Sequence, residues 1–76
     1  MTADSFNALL ERLLSRRPFQ TFTVELHGGK RFDIDRPNAT VFREGLAVFI
    51  APGPFPIRFD HESVSQFIES PPNAAP

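Results

Sequence analysis

Thr21-Phe22-Thr23-Val24-Glu25-Leu26-His27-Gly28-Gly29-Lys30-Arg31-Phe32-Asp33-Ile34 is the stretch that decides how this chain folds. Phe22, Val24 and Leu26 alternate with Thr21, Thr23 and Glu25, and beyond the glycine pair Phe32 and Ile34 alternate with Arg31, Asp33 and Asp35. Two runs of period-2 alternation around Gly-Gly predict a β-hairpin. Directly paired residues of an antiparallel ladder share a face. A two-residue loop at Gly28-Gly29 would therefore set Val24 against Asp33 and mix the faces. A three-residue loop of His27, Gly28 and Gly29 pairs Leu26 with Lys30, Val24 with Phe32 and Phe22 with Ile34, with Gly29 in the left-handed position such loops require. One face is then apolar, and the other sets Glu25 against Arg31.

Before the hairpin, Phe6, Leu9, Leu10, Leu13 and Leu14 follow the spacing of one helical face, with Asn7, Glu11, Arg12, Ser15 and Arg16 opposite. The pattern predicts an amphipathic helix over about residues 5–16, capped by Asp4 or Ser5 and ended by Pro18, lying on the apolar face of the hairpin. After the hairpin, Arg36-Pro37-Asn38-Ala39 interrupts the strand pattern. Residues 40–51 follow as one extended element that turns back at Arg43-Glu44-Gly45, with Phe42, Leu46, Val48 and Ile50 on one face and Val41, Ala47 and Phe49 on the other. A strand apolar on both faces is ordinarily covered on both. With the helix on one side, the other is expected to meet a neighbouring chain. Pro52-Gly53-Pro54-Phe55-Pro56 reads as a stiff loop, residues 57–60 as a short strand and 64–69 as a last strand or short helix, with strands also at about 21–26 and 30–35. Residues 70–76 are too poor in apolar side chains to pack and are expected to be disordered.

These elements make one domain over residues 1–69: mainly β with an N-terminal α-helix, its five-stranded, strongly bent antiparallel sheet closing as a small Sm-like or SH3-like barrel. Seventy-six residues support only a small core, and with no cysteine there is no disulfide or thiolate metal site to reinforce it, which favours self-association. All nine aromatic residues are Phe, suited to burial more than to polar recognition. The net charge of −1 argues against a strongly electrostatic partner such as bulk duplex nucleic acid or an anionic membrane, while leaving room for a local patch. Without a leader or an apolar span, the chain is expected to be bacterial and cytoplasmic.

The two histidines, His27 in the turn and His61 between Asp60 and Glu62, have no metal-ligand spacing, and no serine lies in a nucleophile elbow. The expectation is no enzyme, no cofactor and no metal. Arg12, Arg16 and Arg17 at the end of the helix and Arg36 at the kink are the candidate phosphate contacts, which an oligomer would multiply.

The order of elements resembles the Sm and Sm-like superfamily, including its bacterial RNA chaperone branch. Leu26-His27-Gly28-Gly29-Lys30 stands where that branch has its first tight turn, and Phe59-Asp60-His61 where it carries an aromatic-lysine-histidine motif. Asp60 stands in place of the lysine, Ile34-Asp35 lacks the glycine that bends the second strand, and Arg43-Glu44-Gly45 lacks the base-contacting pattern. The resemblance implies a homo-oligomer binding single-stranded RNA, with Phe59 and His61 as the residues carried over. Arg17-Pro18-Phe19 before the hairpin also looks like the opening of a set of short bacterial proteins and adds no activity. The alternative is a protein interaction or assembly module that shares only the fold.

Overall fold

A computed structural model describes residues 1–69. One α-helix, α1 (Ala3–Ser15), precedes six strands: β1 (Phe22–Leu26), β2 (Arg31–Ile34), β3 (Thr40–Arg43), β4 (Leu46–Ala51), β5 (Phe55–Asp60) and β6 (Val64–Glu69). The strands form two three-stranded antiparallel sheets, ordered β2-β1-β6 and β3-β4-β5. A single turn of 3-10 helix, Pro37–Ala39, joins them. The expected five-stranded closed barrel is corrected on both counts. Residues 40–51 are a hairpin of two strands, and the Pro37 interruption divides the sheet in two. The tail expected to be disordered, residues 70–76, lies outside the described residues.

The first hairpin has the register its alternation dictates: Phe22 pairs with Ile34, Val24 with Phe32 and Glu25 with Arg31. The Leu26 amide donates to the Lys30 carbonyl at 2.8 Å, which closes the three-residue loop. Gly28 and Gly29 both have positive φ, 98° and 94°. On β1's other side, Leu26 pairs with Val64 and Glu25 with Gln66, so Ser65 is the extra residue of a bulge in β6.

The second hairpin departs from expectation. Its loop has two residues, Glu44 (φ 52°) and Gly45 (φ 83°), the double left-handed conformation that suits a tight hairpin. Arg43 therefore pairs with Leu46, Phe42 with Ala47 and Val41 with Val48. The three-residue reading of this turn exchanged Val41 and Phe42 between the faces. In the structure Phe42 packs against the core and Val41 is 71% exposed. β5 also starts earlier than expected, with Phe55 paired to Ala51 and Pro56 to Ile50. As β5 is an edge strand, the absent proline N–H leaves the sheet intact.

The helix starts earlier too. Its N-cap is Thr2, whose hydroxyl accepts from the Ser5 amide at 3.1 Å, in place of the Asp4 or Ser5 expected. Its stripe reaches the core through Phe6, Leu10 and Leu13, which are fully buried with Phe22, Val24, Ile34, Ala47, Phe49, Phe59 and Val64. Seven phenylalanines form one connected path, Phe19-Phe22-Phe67-Phe6-Phe59-Phe32-Phe49, with ring centroids 5.3–6.2 Å apart. The path ties helix and both sheets together. The sheets pack one face each on the other sheet and on α1, and turn the other face outward.

Among the described residues, one polar side-chain atom in this core has no partner: Thr40 Oγ1, on a residue only 8% exposed. Valine has nearly the same shape without a hydroxyl to desolvate. Thr40→Val is expected to raise the unfolding free energy by about 1 kcal/mol, read from the urea midpoint at unchanged slope. A loss of stability would show that the hydroxyl is hydrogen-bonded in solution.

Candidate interaction surface

Of the arginines singled out in the sequence, Arg12 and Arg16 converge, on a single carboxylate. Arg12 Nη2 and Arg16 Nη1 both hold Glu69, at 3.1 and 2.7 Å, and Arg16 Nη2 donates to Gln20 at 2.7 Å. Two of the candidate cations therefore face a carboxylate at the end of β6. Arg17 donates to the Arg16 carbonyl, and Arg36, at the kink, pairs with its neighbour Asp35 at 3.3 Å. Phe59 is 2% exposed, with its ring against Phe6 and Phe32, so a base has no access to it. His61 sits in the β5–β6 turn, its Nδ1 3.0 Å from the Met1 carbonyl, and so carries its proton there. Its amide donates to the Gly45 carbonyl at 2.8 Å. His61 is thus part of a junction between the chain start, the β3–β4 turn and the β5–β6 turn. The Gly45 amide completes that junction by donating to Asn7 Oδ1 of the helix at 3.0 Å.

Among the described residues, no group of three or more His, Asp or Glu side chains is arranged to hold a metal, and no helix is long and apolar enough to cross a membrane.

The two outward sheet faces differ in kind. That of β2-β1-β6 is largely polar and paired across its strands, with half-buried Ile68 beside Thr23. Arg31 Nε and Nη2 meet Glu25 Oε2 at 3.0 and 2.9 Å, Gln66 donates to Glu25 Oε1 at 2.7 Å, and the Thr23 hydroxyl donates to Asp33 at 2.7 Å. The Gln66 bond and then the Arg31 bond hold the Glu25 carboxyl below the usual range. The Ser63 hydroxyl and then the Ser63 N–H, 2.8 Å from Oδ1, do the same for Asp60. Both pKa values are lowered by folding, so this stabilisation is complete above the unfolded values near 4 and is lost as pH falls through the folded ones. The urea midpoint is expected to be flat from about pH 8 to 5 and to drop below about pH 4, with a shallower drop in Glu25→Gln.

The outward face of β3-β4-β5 has a different composition. The ladder sets Val41, Val48 and Arg58 in one row, Arg43, Leu46 and Asp60 in the next, and Ile50 beside Pro56. Val41 is 71% exposed, Ile50 41% and Leu46 40%, and Phe55 at the far end of β5 is 63% exposed. A shallow depression of about 360 Å³, lined by Val41, Phe42, Arg43, Leu46 and Val48, opens on the β3–β4 side. The sequence signalled this surface through the apolar character of residues 46–50 on both faces. It did not show that Val41 belongs to it, because the turn length decides that.

Comparison with protein-family models, with curated proteins and with solved structures yields no match.

Proposed function

We infer that this protein is a non-enzymatic interaction module whose working surface is the outward face of the β3-β4-β5 sheet. The observation that carries this reading is the group of exposed Val41, Leu46 and Ile50 on one sheet, set against a largely polar, cross-paired outer face on the other, where half-buried Ile68 is the apolar member. Scattered apolar side chains are ordinary on a surface, whereas a contiguous apolar sheet face is characteristic of contact sites. The face has no role in the fold, because the core is complete on the opposite side of the same strands.

The likeness to Sm-like proteins rests on element order and supports a binding module of the same general plan, working in the cytoplasm. Single-stranded RNA held by Arg12, Arg16, Arg17, Arg36 and His61 ranks second, because the first two already pair with Glu69 and Arg36 pairs with Asp35.

The test replaces Val41 and Ile50 by lysine. The unfolding free energy is expected to stay within about 0.5 kcal/mol of the parent, since both side chains are outside the core. In gel filtration of extract from cells cross-linked before lysis, the parent is expected to elute larger than its 8.5 kDa monomer and the variant at monomer size. Identical elution of the two would overturn the assignment of the surface. Salt-sensitive binding of uridine-rich RNA that disappears in an Arg16→Ala, Arg17→Ala variant would put the RNA reading first.

A further inference from the structure

The β3-β4-β5 face has a charge pattern that matches itself, which bears on what covers it. Resting on the proposed interaction surface, we propose that its partner is a second copy of this chain, packed face to face about a two-fold axis that runs along β4. In the row Arg43-Leu46-Asp60, the cation is on one outer strand, the anion on the other and the leucine between them. Strands lie about 4.8 Å apart, so the two charges flank the central strand symmetrically. A rotation of 180° about an axis along β4 lays β3 of one copy over β5 of the other. Arg43 then faces Asp60 of the second copy, and Asp60 faces the second Arg43. Leu46, Val48 and Ile50 meet their own equivalents along the axis, the isologous arrangement of a closed dimer.

The same rotation carries Arg58 of each copy over Val41 of the other. Arg58 makes no ion pair among the described residues, and its aliphatic stem is suited to cover the depression beside Val41. Arg43 is 89% exposed, and its pairing with Glu44, at 3.5 Å and as exposed, leaves it free to turn to a partner. By contrast, a two-fold axis across the strands would lay β3 over the second β3 and bring Arg43 no nearer to Asp60. The charges therefore select the axis along β4. Two aligned sheets packed about 10 Å apart accommodate the interdigitating apolar side chains.

The extent of the face sets the strength. Two strands about 20 Å long and the four-residue β3, about 13 Å long, cover roughly 250 Å² per copy, below the ~800 Å² of a standard interface. The dimer is thus a weak, reversible one whose population rises with protein concentration.

Sedimentation equilibrium of the full-length purified protein from about 1 to 500 µM tests this. The expected result is a reversible monomer–dimer equilibrium. Ile50→Lys, which sets two ammonium groups against each other on the axis, is expected to be monomeric throughout, with an unchanged circular dichroism spectrum. Arg43→Glu is expected to lower the association constant at least about fivefold, as the facing Asp60 then repels it. A monomer at the highest concentration, or a dimer indifferent to Ile50→Lys, would overturn the proposal, and a dimer indifferent to Arg43→Glu would overturn its axis. A monomeric purified protein that still elutes large in extract from cross-linked cells, in a Val41- and Ile50-dependent way, would leave the interaction surface standing and replace the second copy with another protein.

Discussion

Gly45→Ala is expected to lower the unfolding free energy by more than about 3 kcal/mol, whereas Gly28→Ala and Gly29→Ala lose only about 1 kcal/mol each. All three glycines have positive φ, so the intrinsic strain of a Cβ in the left-handed region is common to them. The surroundings differ. A Cβ on Gly28 or Gly29 meets nothing within 4 Å, while one on Gly45 would stand 2.6 Å from His61 Cδ2 and 2.9 Å from Ala3 Cβ. Neither neighbour yields easily, since Ala3 belongs to the first turn of α1 and the His61 ring is held by its bond to the Met1 carbonyl. Relief would separate the β3–β4 turn from the helix and break the Asn7 bond to the Gly45 amide as well. Urea denaturation of the three variants side by side reads the difference. Equal losses would show that the Met1-Gly45-His61 junction is open in solution.

Phe59→Ala is expected to cost about 3–5 kcal/mol, comparable with the whole stability of roughly 4–11 kcal/mol expected of a 76-residue chain. Phe59 comes from β5, pairs with Ala47 in β4, and packs its ring on Phe6 of the helix and Phe32 of β2, at 5.8 and 5.3 Å. It touches the helix and the other sheet at once, so its removal opens a cavity where three elements meet. The residue that the Sm-like resemblance put forward as an RNA contact is thus expected to act first on folding. Phe59→Leu, which keeps most of the volume, is expected to lose less than half as much. The check is thermal unfolding followed by circular dichroism, where Phe59→Ala should lose its cooperative transition or shift it far downward. A folded Phe59→Ala with a near-parental midpoint would contradict the central position of this ring.

The contrast between the two hairpins shows what the sequence could disclose. Around Gly28-Gly29 each strand alternates cleanly, so one loop length gives an apolar face and the other does not, and the register follows from the pattern. Around Glu44-Gly45, Val41 and Phe42 are both apolar, so hydrophobicity is indifferent to a loop of two or three residues. Backbone geometry decides instead, with Glu44 accepting a left-handed conformation ahead of Gly45. That single residue of register moved Val41 onto the exposed face and with it defined the candidate surface.

The other differences have similar local causes. Ile57-Arg58-Phe59 alternates, a signal that could have set Phe59 on the buried face, against the exposed role expected of it. The pairing of Arg12 and Arg16 with Glu69 spans more than fifty residues and depends on where β6 ends beside the helix, which no local pattern encodes. The division of the strands into two sheets is of the same kind. Pro37 marks the interruption, but which strands meet across it is settled by packing of the phenylalanine path.

Photo-cross-linking in the cell tests the assignment of the surface most directly, with a photoreactive residue placed at Ile50 on the apolar face or at Thr23 on the polar one. Cross-linked species from position 50 and none from position 23 are the predicted result. Equal yields from both positions, or none from either, would contradict it.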